Sequence, residues 1–279
     1  MRKRRFMQCD VFTSVPTKGN GLAVVVDAEG LDTAAMQDFA AWTCLAETSF
    51  LLPPEDPGAD YKVRIFTPSR EMLFAGHPTL GSCAVWRASG GVPRRAGVVV
   101  QECGVGLVEV DVTGPAPAFA APPTRIEALP EEMLAAILAA LGLPRERVRR
   151  TARLTNGPEW QVLELESAAD VLAADSARLR FPAFRGVGLI GAHPPGGKCA
   201  FEVRMLAPSS GLSEDPITGS LNAAIARWMY EGGMWREPVV VAQGTAIGRQ
   251  GRVFIRRDAD GIVWVGGQTC MLIEGTVTL

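Results

Sequence analysis

Apolar and β-branched residues recur along this chain in short runs, most of them alternating with polar positions. A period of two marks strands with one buried face. It predicts strands at 6–13, 21–27, 48–53, 60–67, 97–103 and 105–112, then near 160–166, 187–191, 199–206, 238–243, 252–257 and 262–266. Four stretches follow helical spacing instead. Asp32 to Thr43 puts Met36, Phe39, Ala40 and Thr43 on one face. Residues 78–89 begin with Pro78, whose missing N–H is harmless in a first turn, and Gly90 follows as a stop. Pro130 to Leu141 has Glu131 and Glu132 near its positive end and Gly142 closing it. The fourth helix is predicted at 216–231, opened by Pro216, and Asp258-Ala259-Asp260-Gly261 reads as a hairpin turn. The helices at 78–89 and 216–231 are apolar on most sides, which predicts that both are buried and wrapped by strands.

The pattern repeats once. Val63-Arg64-Ile65-Phe66-Thr67-Pro68-Ser69 resembles Val203-Arg204-Met205-Leu206-Ala207-Pro208-Ser209, an offset of 140. His77-Pro78-Thr79-Leu80-Gly81-Ser82 resembles Asp215-Pro216-Ile217-Thr218-Gly219-Ser220, an offset of 138. Gly90-Gly91 and Gly232-Gly233 follow at 142, and Val98-Val99-Val100 and Val239-Val240-Val241 at 141. Four ordered matches at half the chain length imply two similar halves. The Pro/Gly/Ala-rich stretch Thr113-Gly114-Pro115-Ala116-Pro117 reads as their linker, giving domains at 1–114 and 118–267. Each is expected to be an α+β unit, a curved, mostly antiparallel sheet around one central helix, with the two related by a pseudo-twofold axis.

Composition narrows the function. The 279 residues carry 28 Lys+Arg and 30 Asp+Glu, a net charge of −2, so the basic excess of a nucleic-acid binder is missing. No apolar run reaches the ~18 residues of a membrane span. The basic start Met1-Arg2-Lys3-Arg4-Arg5 is followed too soon by Asp10 to be a secretory signal. Cysteines at 9, 44, 83, 103, 199 and 270 form no Cys-x-x-Cys and read as reduced, mostly buried thiols of a cytoplasmic protein. With only His77 and His193 present, no metal-ligand cluster is expected.

Candidate chemistry lies at the two repeated helix starts. Free N–H groups and a partial positive charge make a helix N-terminus an anion site. Two of them in equivalent places would serve a shared cleft, with His77 and Asp215 at matching positions and Ser82 and Ser220 matching in the first turns. The alternative is that these are only helix caps. Glu47, in Cys44-Leu45-Ala46-Glu47-Thr48-Ser49-Phe50, has apolar neighbours that would desolvate it and suit it to proton transfer near neutral pH. Gly186-Val187-Gly188-Leu189-Ile190-Gly191 matches a dinucleotide fingerprint in spacing, but His193-Pro194-Pro195-Gly196-Gly197 follows where a helix is required. Gly197-Lys198 fails as a P-loop, and His193 in that loop reads as a surface residue.

These motifs together resemble the PhzF-like phenazine-biosynthesis isomerases, which have the diaminopimelate-epimerase fold. The resemblance rests on Asp10-Val11-Phe12-Thr13, Gly19-Asn20-Gly21, Glu47-Thr48-Ser49-Phe50, Arg64-Ile65-Phe66-Thr67-Pro68, Phe74-Ala75-Gly76-His77-Pro78-Thr79, Glu214-Asp215-Pro216-Ile217-Thr218-Gly219-Ser220, Gln243-Gly244, Gly248-Arg249 and Val265-Gly266-Gly267. It implies that residues 268–279 return to the first domain. It implies Glu47 as proton-shuttling acid/base, His77 and Asp215 lining the site, and backbone amides near Gly76, Gly219 and Ser220 holding a small carboxylated, cyclic substrate. It also implies a homodimer that uses no metal and no organic cofactor, with an activity like trans-2,3-dihydro-3-hydroxyanthranilate isomerisation. The chain departs from the family pattern at Ala46, usually small and polar, and at the bulkier Ile217 and Leu221. The related epimerases place two cysteines at these helix starts; His77 and Asp215 standing there exclude that mechanism. A non-catalytic binding protein, an epimerase or a hydrolase on the same fold are the alternatives.

Overall fold

The computed structural model describes residues 1–208 and 213–279. Ser209, the last residue of one repeated segment, lies outside the described residues. The chain divides into two compact units, residues 1–120 with 266–279, and residues 121–265. The stretch 113–117 lies inside the first unit.

The first unit contains β1 (Lys3–Val11), β2 (Asn20–Val25), α1 (Thr33–Thr43), β3 (Glu47–Leu52), β4 (Tyr61–Phe66), β5 (Glu71–Met72), α2 (Gly76–Ala88), β6 (Val98–Cys103), β7 (Gly106–Asp111) and β8 (Ala118–Ala120). β1 runs antiparallel to β2, β2 parallel to β3, β3 antiparallel to β4 and β4 parallel to β6. β7 is antiparallel to both β6 and β8, and the two-residue β5 folds back on β4.

The second unit contains β9 (Arg125–Glu127), α3 (Glu131–Leu141), β10 (Val148–Thr155), β11 (Glu159–Leu165), α4 (Ala168–Ala173), β12 (Val187–Ala192), β13 (Phe201–Leu206), β14 (Glu214–Asp215), α5 (Gly219–Glu231), β15 (Val239–Gln243), β16 (Gly251–Arg257) and β17 (Val263–Gly266). Its pairings repeat those of the first unit. β10 is antiparallel to β11, β11 parallel to β12, β12 antiparallel to β13, and β13 parallel to β15 and antiparallel to β14. β9 lies antiparallel beside β10. In the first unit that outer place is taken by β18 (Thr269–Thr278), antiparallel to β1 from Lys3 opposite Thr278 to Val11 opposite Thr269.

The structural repeat corrects the register read from the sequence. α2 and α5 are both 13 residues long and offset by 143, not 138. His77 is therefore equivalent to Ser220. Asp215 lies four residues before its helix, on β14 opposite Met205, just as Met72 on β5 lies opposite Ile65. Ser82 sits in the second turn of α2 and is fully buried, not in the first turn. Pro216 does not open α5, because side-chain hydrogen bonds described below hold 215–218 out of the helix.

Both central helices are buried as their composition requires. Leu80, Cys83 and Val85 of α2 are inaccessible, and so are Leu221, Ala224 and Ile225 of α5. Gly81 lets α2 settle on the sheet: a Cβ there would stand 2.5 Å from Leu22 Cδ2 and 2.9 Å from Val11 Cγ2. Satellite helices cover further apolar surface. α1 buries Met36, Phe39 and Ala40 with Phe50 and Phe66, and α3 buries Leu134, Ile137, Leu138 and Leu141 with Leu163 and Leu189. Each such Leu or Phe, fully buried, stabilises the fold by about 1.5–3 kcal/mol.

Candidate active site

In the first unit the chain delivers a carboxylate to a histidine. α1 ends at Cys44, whose left-handed backbone turns the chain into β3. Glu47 is the first residue of that strand, and the Thr43–Thr48 hydroxyl contact of 2.9 Å pins the turn on either side of it. His77, second residue of α2, brings Nδ1 to 3.3 Å from Glu47 Oε2. The His77 side chain is 6% exposed and that of Glu47 18%. The carboxylate is thus the member of the pair that a ligand can reach. The contact is longer than a typical charge-assisted hydrogen bond.

Burial pushes the His77 imidazole down to about 3, against a hydrogen bond to the Gly21 backbone that works the other way. His77 is therefore neutral at physiological pH, and its contact with Glu47 is not an ion pair. A neutral ring suits an acid/base partner. It donates Nδ1–H to a carboxylate and, in the other tautomer, accepts from a carboxylic acid. The depressed value also sets a pH dependence of stability. Unfolded chains take up a proton at His77 below about pH 6.5, while the folded protein does not until about pH 3. Stability is then lost as pH falls through that window, at up to ~1.4 kcal/mol per pH unit. Urea melts at pH 7 and pH 4.5 should show His77→Gln losing roughly 2 kcal/mol less on acidification than the parent. Equal losses in both proteins would contradict the buried neutral state.

The two central helices begin without side-chain caps. Asp32 caps α1 by accepting from Ala35 N at 2.8 Å, and Ser167 caps α4. Neither Ala75 before α2 nor Thr218 before α5 places a side chain on the first turn. The residue directly before each central helix thus supplies no side-chain cap. The first-turn amides, at Gly76 and His77 in one unit and at Gly219 and Ser220 in the other, keep the donor character that suits an anion. The fully buried Ser82 is placed away from these amides.

Side-chain hydrogen bonds shape the chain before each helix. In the first unit the Arg64 guanidinium donates through Nε and Nη2 to both oxygens of Glu71 on β5, at 2.7 and 2.6 Å. In the second, Arg204 donates through the same two nitrogens to Glu214 Oε2 on β14, at 3.0 and 2.7 Å, and through Nη1 to the Val171 and Ala174 carbonyls. From the strand after each helix comes a buried glutamine. Gln101 accepts from the Tyr61 hydroxyl at 2.9 Å and donates to Thr79 Oγ1 at 3.1 Å. Gln243 joins Asp215, Thr218 and Asn222, with the Thr218 hydroxyl donating to Asp215 Oδ2. Asn156 donates to the Ser220 carbonyl at 2.8 Å. Thr79 and Gln243 belong to the sequence motifs, whereas Gln101, Asn222 and Asn156 do not. The offset of 142 between the two glutamines was the available signal.

Other candidates resolve as packing. Gly186–Gly191 leads into β12, not a helix. A Cβ at Gly188 would meet Leu221 Cδ1 at 2.9 Å, and one at Gly251 would meet Ile217 Cγ1 at 2.3 Å. The bulky Ile217 and Leu221 are thus seated against glycines and are fully buried. His193 lies 3.1 Å from the buried Glu202 carboxylate, so it is paired and not merely at the surface. Among the described residues no three His, Cys, Asp or Glu side chains gather as a metal site, and no helix is long and apolar enough to cross a membrane. Cys9, Cys83, Cys103 and Cys199 are buried, but Cys44 is exposed. Burial pushes the Cys9 and Cys83 thiols up to about 12, which makes them unreactive.

Comparison with known proteins agrees with this architecture. The chain is 34% identical to antisense-enhancing sequence 1 of Schizosaccharomyces pombe, with 99% of each chain covered. It is 30% identical to the trans-2,3-dihydro-3-hydroxyanthranilate isomerase of Pseudomonas aeruginosa, again with 99% of each covered. The crystal structure of a Bacillus anthracis phenazine biosynthesis protein of the PhzF family superposes with a TM-score of 0.84 over 100% of both chains at 21% identity. Residues 9–275 match the family described as phenazine biosynthesis-like protein, and the chain belongs to this PhzC-PhzF family.

Proposed function

We propose that the chain is an isomerase that moves a proton within a small, cyclic, carboxylated substrate. The observation that carries this reading is the exposed edge of Glu47 held 3.3 Å from a buried, neutral His77. Glu47 takes a proton from carbon and returns it to another carbon of the same conjugated system. One base placed for both transfers replaces two encounters with one bound geometry. The reaction is redox-neutral and only a proton changes place, so the reading calls for no metal or organic cofactor. His77 holds the carboxyl in place through both of its protonation states. Family resemblance supports Asp215, Gly76, Gly219 and Ser220 as further substrate-binding residues. Ser82, proposed from the sequence as a further binding residue, would support α2 from within. Family resemblance supports a homodimer, and the scattered free thiols support the cytoplasm.

Relatives named for trans-2,3-dihydro-3-hydroxyanthranilate isomerisation supply the probe. Incubated with that compound in D2O, the protein should give isomerised product carrying deuterium at carbon. Compound that is bound but recovered unchanged and undeuterated would mean a binding protein, and would overturn the reading for this substrate.

A further inference from the structure

The hydrogen bonds before α5 admit one chemical solution. The Thr218 backbone N–H can only donate, so the Gln243 atom 3.1 Å from it is the oxygen. Asn222 Nδ2, identified as a donor by the Thr218 carbonyl at 2.9 Å, donates to that same oxygen at 2.7 Å. The other end of Gln243 is therefore the NH2 group. It donates to the Asp215 carbonyl at 3.3 Å and to Thr218 Oγ1 at 3.0 Å. Thr218 Oγ1 accepts there, so its single hydrogen is directed at Asp215 Oδ2. Asn222 and Gln243 are inaccessible to solvent and Thr218 is 8% exposed, so bulk water does not compete for these groups.

We propose that Gln243 is a positioning residue that, through the Thr218 hydroxyl, fixes the orientation and protonation of the Asp215 carboxylate. Oδ2 is held as an acceptor and cannot carry the proton. The first unit shows which part of this device is structural. There Gln101 also clasps the central helix, through Thr79, whose hydroxyl returns to the Ala75 carbonyl at 2.9 Å. The position equivalent to Asp215 is Met72, so that clasp reaches no acid. Clasping the helix is common to both units. Relaying a hydrogen bond to a carboxylate belongs to the second alone.

The proposal rests on the reading that Asp215 touches the substrate, and its test separates the two. The Asp215 carboxyl carbon is followed by 13C NMR in the full-length protein as pH is lowered. A hydrogen bond to the ionised form favours ionisation. Thr218→Val should therefore move the Asp215 midpoint up by about one pH unit, and Thr218→Ser should bring it back. Gln243→Glu should also raise it, because the introduced carboxylate accepts the Thr218 hydroxyl that Asp215 now receives. In the parent, the Thr218 hydroxyl proton should exchange slowly with water, a measurement that needs no variant to fold. An unmoved midpoint in folded Thr218→Val or Gln243→Glu, or fast hydroxyl exchange in the parent, overturns the proposal. With trans-2,3-dihydro-3-hydroxyanthranilate, Thr218→Val should lower kcat roughly 10–100-fold while KM stays within about threefold. Isomerisation by Glu47→Gln would overturn the functional reading and leave the NMR result standing.

Discussion

Glu47→Gln should lose turnover of trans-2,3-dihydro-3-hydroxyanthranilate by at least about a hundredfold and as much as ~10^4-fold, the range a positioned acid/base contributes. The amide keeps the size of the side chain and can still meet His77 Nδ1, so the contact at 3.3 Å survives in shape. What it cannot do is take up or release a proton. Ligand affinity, measured calorimetrically, should therefore stay within a few-fold, and the urea midpoint should hardly move. Solvent deuterium in recovered substrate and product should vanish with kcat. Activity near that of the parent would remove Glu47 from the mechanism.

The second large effect is on stability, and the internal repeat supplies its control. Arg204 and Glu214 occupy the places of Arg64 and Glu71, and in each unit the arginine pins a two-residue strand before the central helix. The environments differ sharply: side-chain exposure is 5% and 1% for the Arg204 pair but 23% and 37% for the Arg64 pair. Arg204→Met leaves the Glu214 carboxylate buried without its cation and removes donors from two backbone carbonyls. Breaking one side of a buried pair costs about 3–5 kcal/mol. Arg64→Met breaks a pair that water can re-solvate, and should cost about 1 kcal/mol or less. Urea denaturation of both variants tests the contrast. Equal losses would mean that burial is not what makes the Arg204 fork matter.

Much of this arrangement is legible in the sequence. Period-two patterning located β4, β6 and β16, whose buried and open positions alternate, and continuous apolar runs located β3, β12 and β13, which are buried on both faces. The proline and glycine punctuation of α2 and α3 marked their limits within two residues. β10 escaped notice because Arg149, Arg150 and Arg153 interrupt its apolar positions, although Val148, Ala152 and Leu154 are buried. α4, of six residues, is too short to show a period. β5 and β14 exist only through pairing with their neighbours, and no local pattern encodes two residues.

The misplaced start of α5 has the same origin. Pro216 is a reasonable helix opener by local rules, yet Gln243, 27 residues further on, holds the chain extended until Thr218. That shift moved the equivalence of His77 from Asp215 to Ser220. Glu47 and His77 were recognisable as candidates from their motifs, but their approach depends on β3 and α2 belonging to one unit. The neutrality of His77 follows from that packing and could not be read from a chain with only two histidines.

The place of β18 bears on how the chain matures during synthesis. Residues 121–265 form the second unit as one continuous stretch, so it can fold as soon as it leaves the ribosome. The first unit cannot. β1 is made before the second unit but waits for Thr269–Thr278, and the Arg2 amide reaches the Leu279 carbonyl at 2.7 Å only when translation has passed both units. Until then one edge of β1 is an open template for other chains. β1 is thus made before the second unit yet shielded after it.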